Sequence, residues 1–458
     1  MHDTSTSCTF DVSSSPKSNC TQTSKRLLVE KCSALADDVI SNLVCDAYFP
    51  KMIPVLQKFP RPVVKNIPER IRALLLQDHI ASTIQPGMEI AITCGSRGVA
   101  NIHHIIKEIC ACVYAAGAKP FIVPAMGSHG GASAEGQLKI LEGYGVTEAY
   151  CNAPIRSCMD VVRIGTTDDG RDVMLDSHAA GASGIIAVGR VKPHTDFHGQ
   201  YESGLLKMLV VGLGKQRGAE AFHAGGPQHM AENLQCFGAV ILQHAPILFG
   251  IAILENAYDE TARIEAITRQ DILHEEPPLL LAARELMAKS YIQDLDLLIV
   301  DRIGKDISGD GMDPNITGRY SNPWMSGGIN ATKIAILDIS DESNGQMVGL
   351  GYGDVTTMRC LQKCDLAATY PNALTSTTFS PFRIPMVMQT DKEAIGACLK
   401  YCGGSDVSHP RVLRMRDTLH MGEIQVSESL LSEVNEHPCM EVIGEPRDFP
   451  FDSAGNLL

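Results

Sequence analysis

The sequence predicts an α/β protein of two domains, each built on a largely parallel sheet, with the active site in the cleft between them. Three observations lead there. Short apolar runs alternate with stretches of helical period, and glycine-rich turns close the runs. The 458 residues are enough for two ordinary cores. Aromatics make up only 5% of a chain that is 44% hydrophobic and holds 40 glycines, an aliphatic, turn-rich mixture that suits α/β architecture better than a β-sandwich.

Residues 1–27 are rich in Ser, Thr and Cys and poor in apolar side chains, which predicts a disordered leader. An N-terminal domain is expected over 28–285. Pro60, Pro62 and Pro68 punctuate an expected helical stretch at its start. Gly87 to Thr93 then reads as a buried strand with Gly95-Ser96-Arg97-Gly98 as its turn. Ile102, Ile105, Ile106, Ile109 and Val113 share one helical face, and Gly117 stops that helix. A second unit repeats the plan: strand Pro120 to Ala125, turn Gly127-Ser128-His129-Gly130-Gly131, and a short helix with Leu138, Leu141 and Tyr144 aligned. A third strand, Gly184 to Val188, leads into Arg190 to His198, and Ile247 to Leu254 is another. Consecutive βα units imply a parallel sheet, and open parallel sheets bind ligands at the carboxyl ends of their strands. Arg97, His129 and His194 are therefore expected on one edge.

Asp271 to Ser290, with Pro277-Pro278 near its start, reads as a connecting helix. A C-terminal domain is expected over 290–458. It opens with the strand Asp296 to Asp301 and a loop dense in Gly and Asp, Gly304 to Arg319. Calcium is discounted there, because Thr317 stands where a closing Glu belongs. Lys333 to Ile339 and Pro385 to Met388 are further strands, Gly349 to Asp354 is a turn, and an irregular tail begins near Arg447.

A net charge of −14 argues against a nucleic-acid partner. The 15 cysteines form no CxxC pair, which leaves free thiols in a reducing, cytoplasmic setting and no zinc ribbon or ferredoxin-type cluster. No apolar run is long enough to span a membrane.

The richest stretch is Gly189 to Gly225, which packs His194, His198 and His223 around Lys207. That lysine is a single amine inside Leu205-Leu206-Lys207-Met208-Leu209-Val210-Val211. Either it snorkels to water or burial leaves it as a neutral nucleophile. Gly212-Leu213-Gly214-Lys215-Gln216 lacks the spacing and the Ser/Thr of a phosphate loop. No nucleophile elbow or dinucleotide fingerprint follows a strand. His194 and His198, four apart, sit in a loop context set by Pro193 and Gly199 and do not make a helical zinc pair.

Arg97 in Gly-Ser-Arg, His129 in Gly-Ser-His, Pro193-His194, Lys207 and His223 resemble, in order and spacing, the nickel-dependent lactate racemase family of 2-hydroxyacid racemases and epimerases. The resemblance covers roughly Ile90 to Gly226. It implies a nickel-pincer nucleotide tethered through Lys207, with His223 on the nickel and Ser96 and Arg97 among the cofactor contacts. It also implies that His129 and His194 are the acid/base pair. Arg97, and Lys305 across the cleft, are candidate contacts for a substrate carboxylate. A small hydroxy acid and the proteins that make the cofactor are the implied partners. This chain departs from the family in carrying Leu205-Leu206 where a Gly-Gly precedes the tethering lysine, and Thr93-Cys94-Gly95 where an acid often precedes the arginine. Two other readings stand beside it: a metal-dependent hydrolase or lyase using His194, His198 and His223, and a cofactor-binding protein without catalysis.

Overall fold

A computed structural model describes residues 39–376, 378–402 and 406–458. The expected leader, 1–27, lies outside the described residues. Two sheets organise the chain. Strand β1 (Met52–Gln57) comes first. It is followed by β2 (Glu89–Cys94) and β3 (Lys119–Pro124), by a two-stranded ribbon of β4 (Val161–Thr166) and β5 (Asp172–Asp176), and by β6 (Gly184–Arg190), β7 (Ile247–Glu255) and β8 (Thr261–Thr268). The second half holds β9 (Asp294–Val300), β10 (Asn330–Ile336), β11 (Val355–Thr357), β12 (Met386–Met388), β13 (Val412–Met415), β14 (Glu423–Ser427) and β15 (Met440–Val442).

The first sheet has the order β3-β2-β6-β7-β8, parallel except for β8. Its strands read as continuous apolar runs because both faces are covered. Ala91, Ile185 and Ala187 face one core; Ile90, Ile92, Ile186 and Val188 face the other. The second sheet runs β12-β11-β10-β9-β13-β14-β1-β15, with β12 to β13 parallel and the last three pairings antiparallel. Leu298 and Val300 of β9 face one of its cores, Leu297 and Ile299 the other.

Two expectations are corrected here. The stretch before the first βα unit is not a punctuated helix: β1 is followed by extended chain, and the helix begins at Ile67 with Pro68 in its first turn, where a missing N–H is harmless. Nor does the chain from residue 28 onward belong wholly to the N-terminal unit. β1 pairs with β14 and β15, and Val44 and Met52 are buried in a core of the second sheet. The β4–β5 ribbon was not anticipated either; β4 is exposed or half-buried along its whole length, and β5 is short.

The connecting helix is Ile272–Leu286, with Pro277 and Pro278 inside it. A proline there leaves the carbonyl four residues back without its helical partner. The Tyr201 hydroxyl donates to the freed Leu273 carbonyl at 2.6 Å.

Candidate active site

Each sheet changes direction of winding once, between β2 and β6 in the first and between β9 and β13 in the second. The loops leaving the carboxyl ends of these strands meet across a cleft. From the first sheet come 95–100 after β2, 125–131 after β3 and 191–204 after β6. From the second comes 301–329 after β9.

The first loop carries Ser96 and Arg97. The Ala100 N–H donates to Glu255 Oε1 at 2.5 Å, and Glu255 is also paired with Arg190, so the ends of β6 and β7 hold this loop. The Tyr144 hydroxyl donates to the Ser96 carbonyl at 2.8 Å. Arg97 reaches the far side: a Cβ on Gly309 would lie 2.9 Å from its Nη2. Arg97 and His129 are open to solvent yet lie between the two crests, where protein replaces much of their hydration. Burial accordingly pulls Arg97 below its usual range, with Asp310 opposing.

His129 Nδ1 is hydrogen-bonded to Ser96 Oγ. Burial, then the positive charges of Arg97, Lys207 and Lys305, hold His129 down to about 3. The ring is therefore neutral at physiological pH.

The third loop bends around Glu202, a buried carboxylate. It accepts the His194 N–H at 2.7 Å and the Gly199 N–H at 3.0 Å, and it pairs with Arg284. His194 stacks on Phe197, ring centroids 4.3 Å apart. Its Nδ1 accepts the Asp196 N–H at 3.0 Å, and its Nε2 is hydrogen-bonded to Lys207 Nζ. With Nδ1 accepting, a neutral ring carries its proton on Nε2, and the amine must accept it. That arrangement needs an uncharged lysine. Burial, reinforced by Arg97, brings Lys207 down to about 8, within reach of that state. The same burial, with Lys207 next, holds His194 well below its ordinary value.

Lys207 ends the helical turn Leu205–Lys207, which runs directly into a π-helical turn, Met208–Gly212. Such wide turns occur often at functional sites. The Leu206 N–H donates to the Glu276 carboxylate at 2.9 Å, and Gly204 leaves the room: a Cβ there would lie 2.2 Å from Glu276 Oε1. His223, at the end of helix Lys215–His223, is open to solvent on the rim; crowding, then Lys207, lowers it.

From the second sheet, Lys305 is brought to about 8 by burial and by Arg97. Burial, then Asp196, raises Asp310 to about 7; Asp196 is raised by burial as well. Asp310 Oδ2 and the Tyr352 hydroxyl are buried without a hydrogen-bond partner. Asn315 Nδ2 donates to the His194 carbonyl at 3.1 Å, and its Oδ1 meets His198 Nε2 at 2.7 Å. Ser321 Oγ donates to Asp196 Oδ1 at 3.1 Å and Asn322 Nδ2 to the Asp196 carbonyl at 2.8 Å.

Ser96, Arg97, His129, His194, Lys207, His223 and Lys305 thus border one cleft. The trio behind the hydrolase reading does not gather: His198 is turned to Asn315 while His194 is bonded to Lys207. Among the described residues no three His, Cys, Asp or Glu side chains are grouped to hold a metal ion. The sequence reading missed Asp196, Asp310, Asn315, Ser321 and Tyr352. Asp196, two residues after His194, carried a signal; the rest come from loops far away in sequence.

The residues present fit a tethered nickel-pincer group. Lys207 offers an amine near neutrality and His223 an accessible imidazole. Arg97 and Lys305 offer positive charge, and Asp310 Oδ2 is a buried acceptor beside them.

Fold and cleft together describe a two-sheet α/β protein with a histidine–lysine site at the facing crests. Residues 53–233 match the family model described as the lactate racemase N-terminal domain. The match takes in less than half of the chain. The lactate racemase apoprotein from Thermoanaerobacterium thermosaccharolyticum is a structural neighbour at 16% identity and a TM-score of 0.40. That alignment covers 63% of this chain and 74% of the other, too distant to carry an argument of its own. No curated protein matches the chain. No helix among the described residues is long and apolar enough to cross a membrane.

Proposed function

We propose that this protein is a racemase or epimerase of a 2-hydroxy acid that works with a nickel-pincer nucleotide held in the cleft. The observation that carries the reading is the hydrogen bond between Lys207 and His194, with a neutral His129 ring on the neighbouring loop. Lys207 would hold the group through its amine, His223 would supply the protein donor to nickel, and Ser96 and Arg97 would contact the nucleotide. When bound, the group supplies a hydride acceptor and donor, which avoids forming a carbanion beside a carboxylate.

The chain's own residues do the rest. Arg97 and Lys305 orient the substrate carboxylate from opposite sides of the cleft. His129 and His194 take the hydroxyl proton from one configuration and return it to the other, both being neutral at working pH. Using Lys207 as the tether releases His194 Nε2 from its present partner and leaves it for substrate. Ser96 on His129 Nδ1 then fixes which ring nitrogen faces the hydroxyl.

The test uses 2-hydroxy acids deuterated at the α-carbon and enzyme from a host that builds the cofactor. Inversion with the label retained supports hydride transfer. Extensive washout of label into water during inversion overturns it. Protein that binds nickel but inverts no member of the panel would leave only a binding role.

A further inference from the structure

Lys215 is the residue that the phosphate-loop comparison leaves unexplained. It begins the helix that ends at His223, with φ at +53°, a backbone region costly for a side-chain-bearing residue. Its side chain is fully buried. Nζ meets three groups and all are acceptors: the Pro124 carbonyl, Gln137 Oε1 at 3.1 Å and Asp176 Oδ2 at 3.2 Å. An ammonium has three N–H donors, so this surrounding satisfies the charged form completely. Asp176 in turn accepts the Ala179 N–H at 2.9 Å.

The partners show what the buried charge is for. Pro124 is the last residue of β3, immediately before the loop that carries His129. Gln137, also fully buried, donates from Nε2 to the Gly127 carbonyl at 2.9 Å and the His129 carbonyl at 3.3 Å. The Gly127 N–H donates to the Gly212 carbonyl at 3.1 Å, at the end of the π-helical turn. One network thus joins the His129 loop to the start of the helix bearing His223. A buried ion pair is weak support for stability, and apolar side chains would fill this space at least as well. Its distinguishing property is direction, since each hydrogen bond fixes one peptide of the loop.

We propose that Lys215, Gln137 and Asp176 are positioning residues, a brace beneath the cleft that sets the His129 loop relative to the helix ending at His223. The role of the loop in catalysis rests on the proposed function; the brace itself does not.

Gln137→Met in the full-length, cofactor-loaded protein removes both hydrogen bonds to the loop and leaves the Lys215–Asp176 pair. Amide exchange at residues 127–131 should quicken by about tenfold or more, while β2 and β6 stay protected. kcat should fall roughly 10- to 100-fold with KM within about twofold, since the chemistry and not the carboxylate contacts is disturbed. If that variant does not fold, Gln137→Glu keeps the shape and the link to Lys215 but removes the donor to both carbonyls, and the same changes are expected. Unchanged exchange over 127–131 in a folded variant overturns the brace, whatever happens to turnover. If the native protein inverts no 2-hydroxy acid, the functional reading fails separately, and the exchange data alone decide the brace.

Discussion

The two histidine loops are secured in opposite ways. His129 is held entirely from its own side: Ser96 bonds the ring, and Gln137 and Lys215 hold the backbone from below. His194 is held from its own side by Lys207 on the ring and Glu202 on the backbone, but its loop also takes three hydrogen bonds from the second sheet, through Asn315, Ser321 and Asn322. Parting the two units would leave the His129 loop intact and release much of the His194 loop. In the proposed reading, the second histidine therefore depends on contact between the two units, and the first does not.

Four experiments break or sharpen this contrast, beginning with the largest effect. Lys207→Ala removes the partner of His194 alone. It should abolish turnover and any covalent mass increment from the cofactor, while the environment of His129 stays ordered; intact mass with metal analysis reads both. His129→Ala and His194→Ala should each lower turnover by roughly 10²–10⁴-fold with nickel retained, and native-like activity in both would remove the acid/base assignment. Asn315→Ala cuts a support that only His194 has. Turnover should fall on the order of tenfold, with faster amide exchange confined to 194–199 and none over 127–131. Equal loosening of both loops would erase the distinction drawn here.

The smallest effect concerns pH. Glu276, which caps the helical turn of Lys207, is raised by burial from 4.5 to about 7. Its folded pKa lies above the unfolded one, so its contribution is complete below about pH 4.5 and is lost as pH rises through 7. Glu276→Gln keeps an oxygen for the Leu206 N–H and cannot ionise. Its melting temperature should fall several degrees less than that of the native protein between pH 5 and 8, as scanning calorimetry would show. An unchanged slope would mean that the carboxyl is not the group responsible.

Much of this arrangement was legible beforehand. Strands such as β2 and β6 announce themselves because both faces are buried, and glycine-flanked turns mark where their carboxyl ends open. Ser96, Arg97, His129, His194, Lys207 and His223 could be assembled because all six lie between β2 and β7 of one sheet, within a regular run of units. β1 escaped notice because Pro54 interrupts the look of a strand. In place it offers only its carbonyl, to the Ile443 N–H at 3.0 Å just beyond β15, so no rung inside β15 is lost. Asp310 was hidden for another reason: carboxylates in a Gly- and Asp-rich loop look like solvated turns. Asn315 and Ser321 act across more than a hundred residues of chain, a distance no local pattern records.

The pairing of β1 with β14 also determines the order in which the molecule can be made. Among the described residues the first strand belongs to the second sheet; the chain then builds the whole of the first sheet and returns. The first sheet, β2 to β8, is one uninterrupted stretch and can fold as soon as it has left the ribosome. The second must keep β1 waiting until β14 arrives, some 370 residues later by the register of Met52 with Ser427. During that wait β1 is an unpaired apolar strand. The connections at 58–66 and 287–293 both run between the two sheets, so a sequence able to capture β1 early would stall assembly of the cleft while leaving the first sheet fully formed.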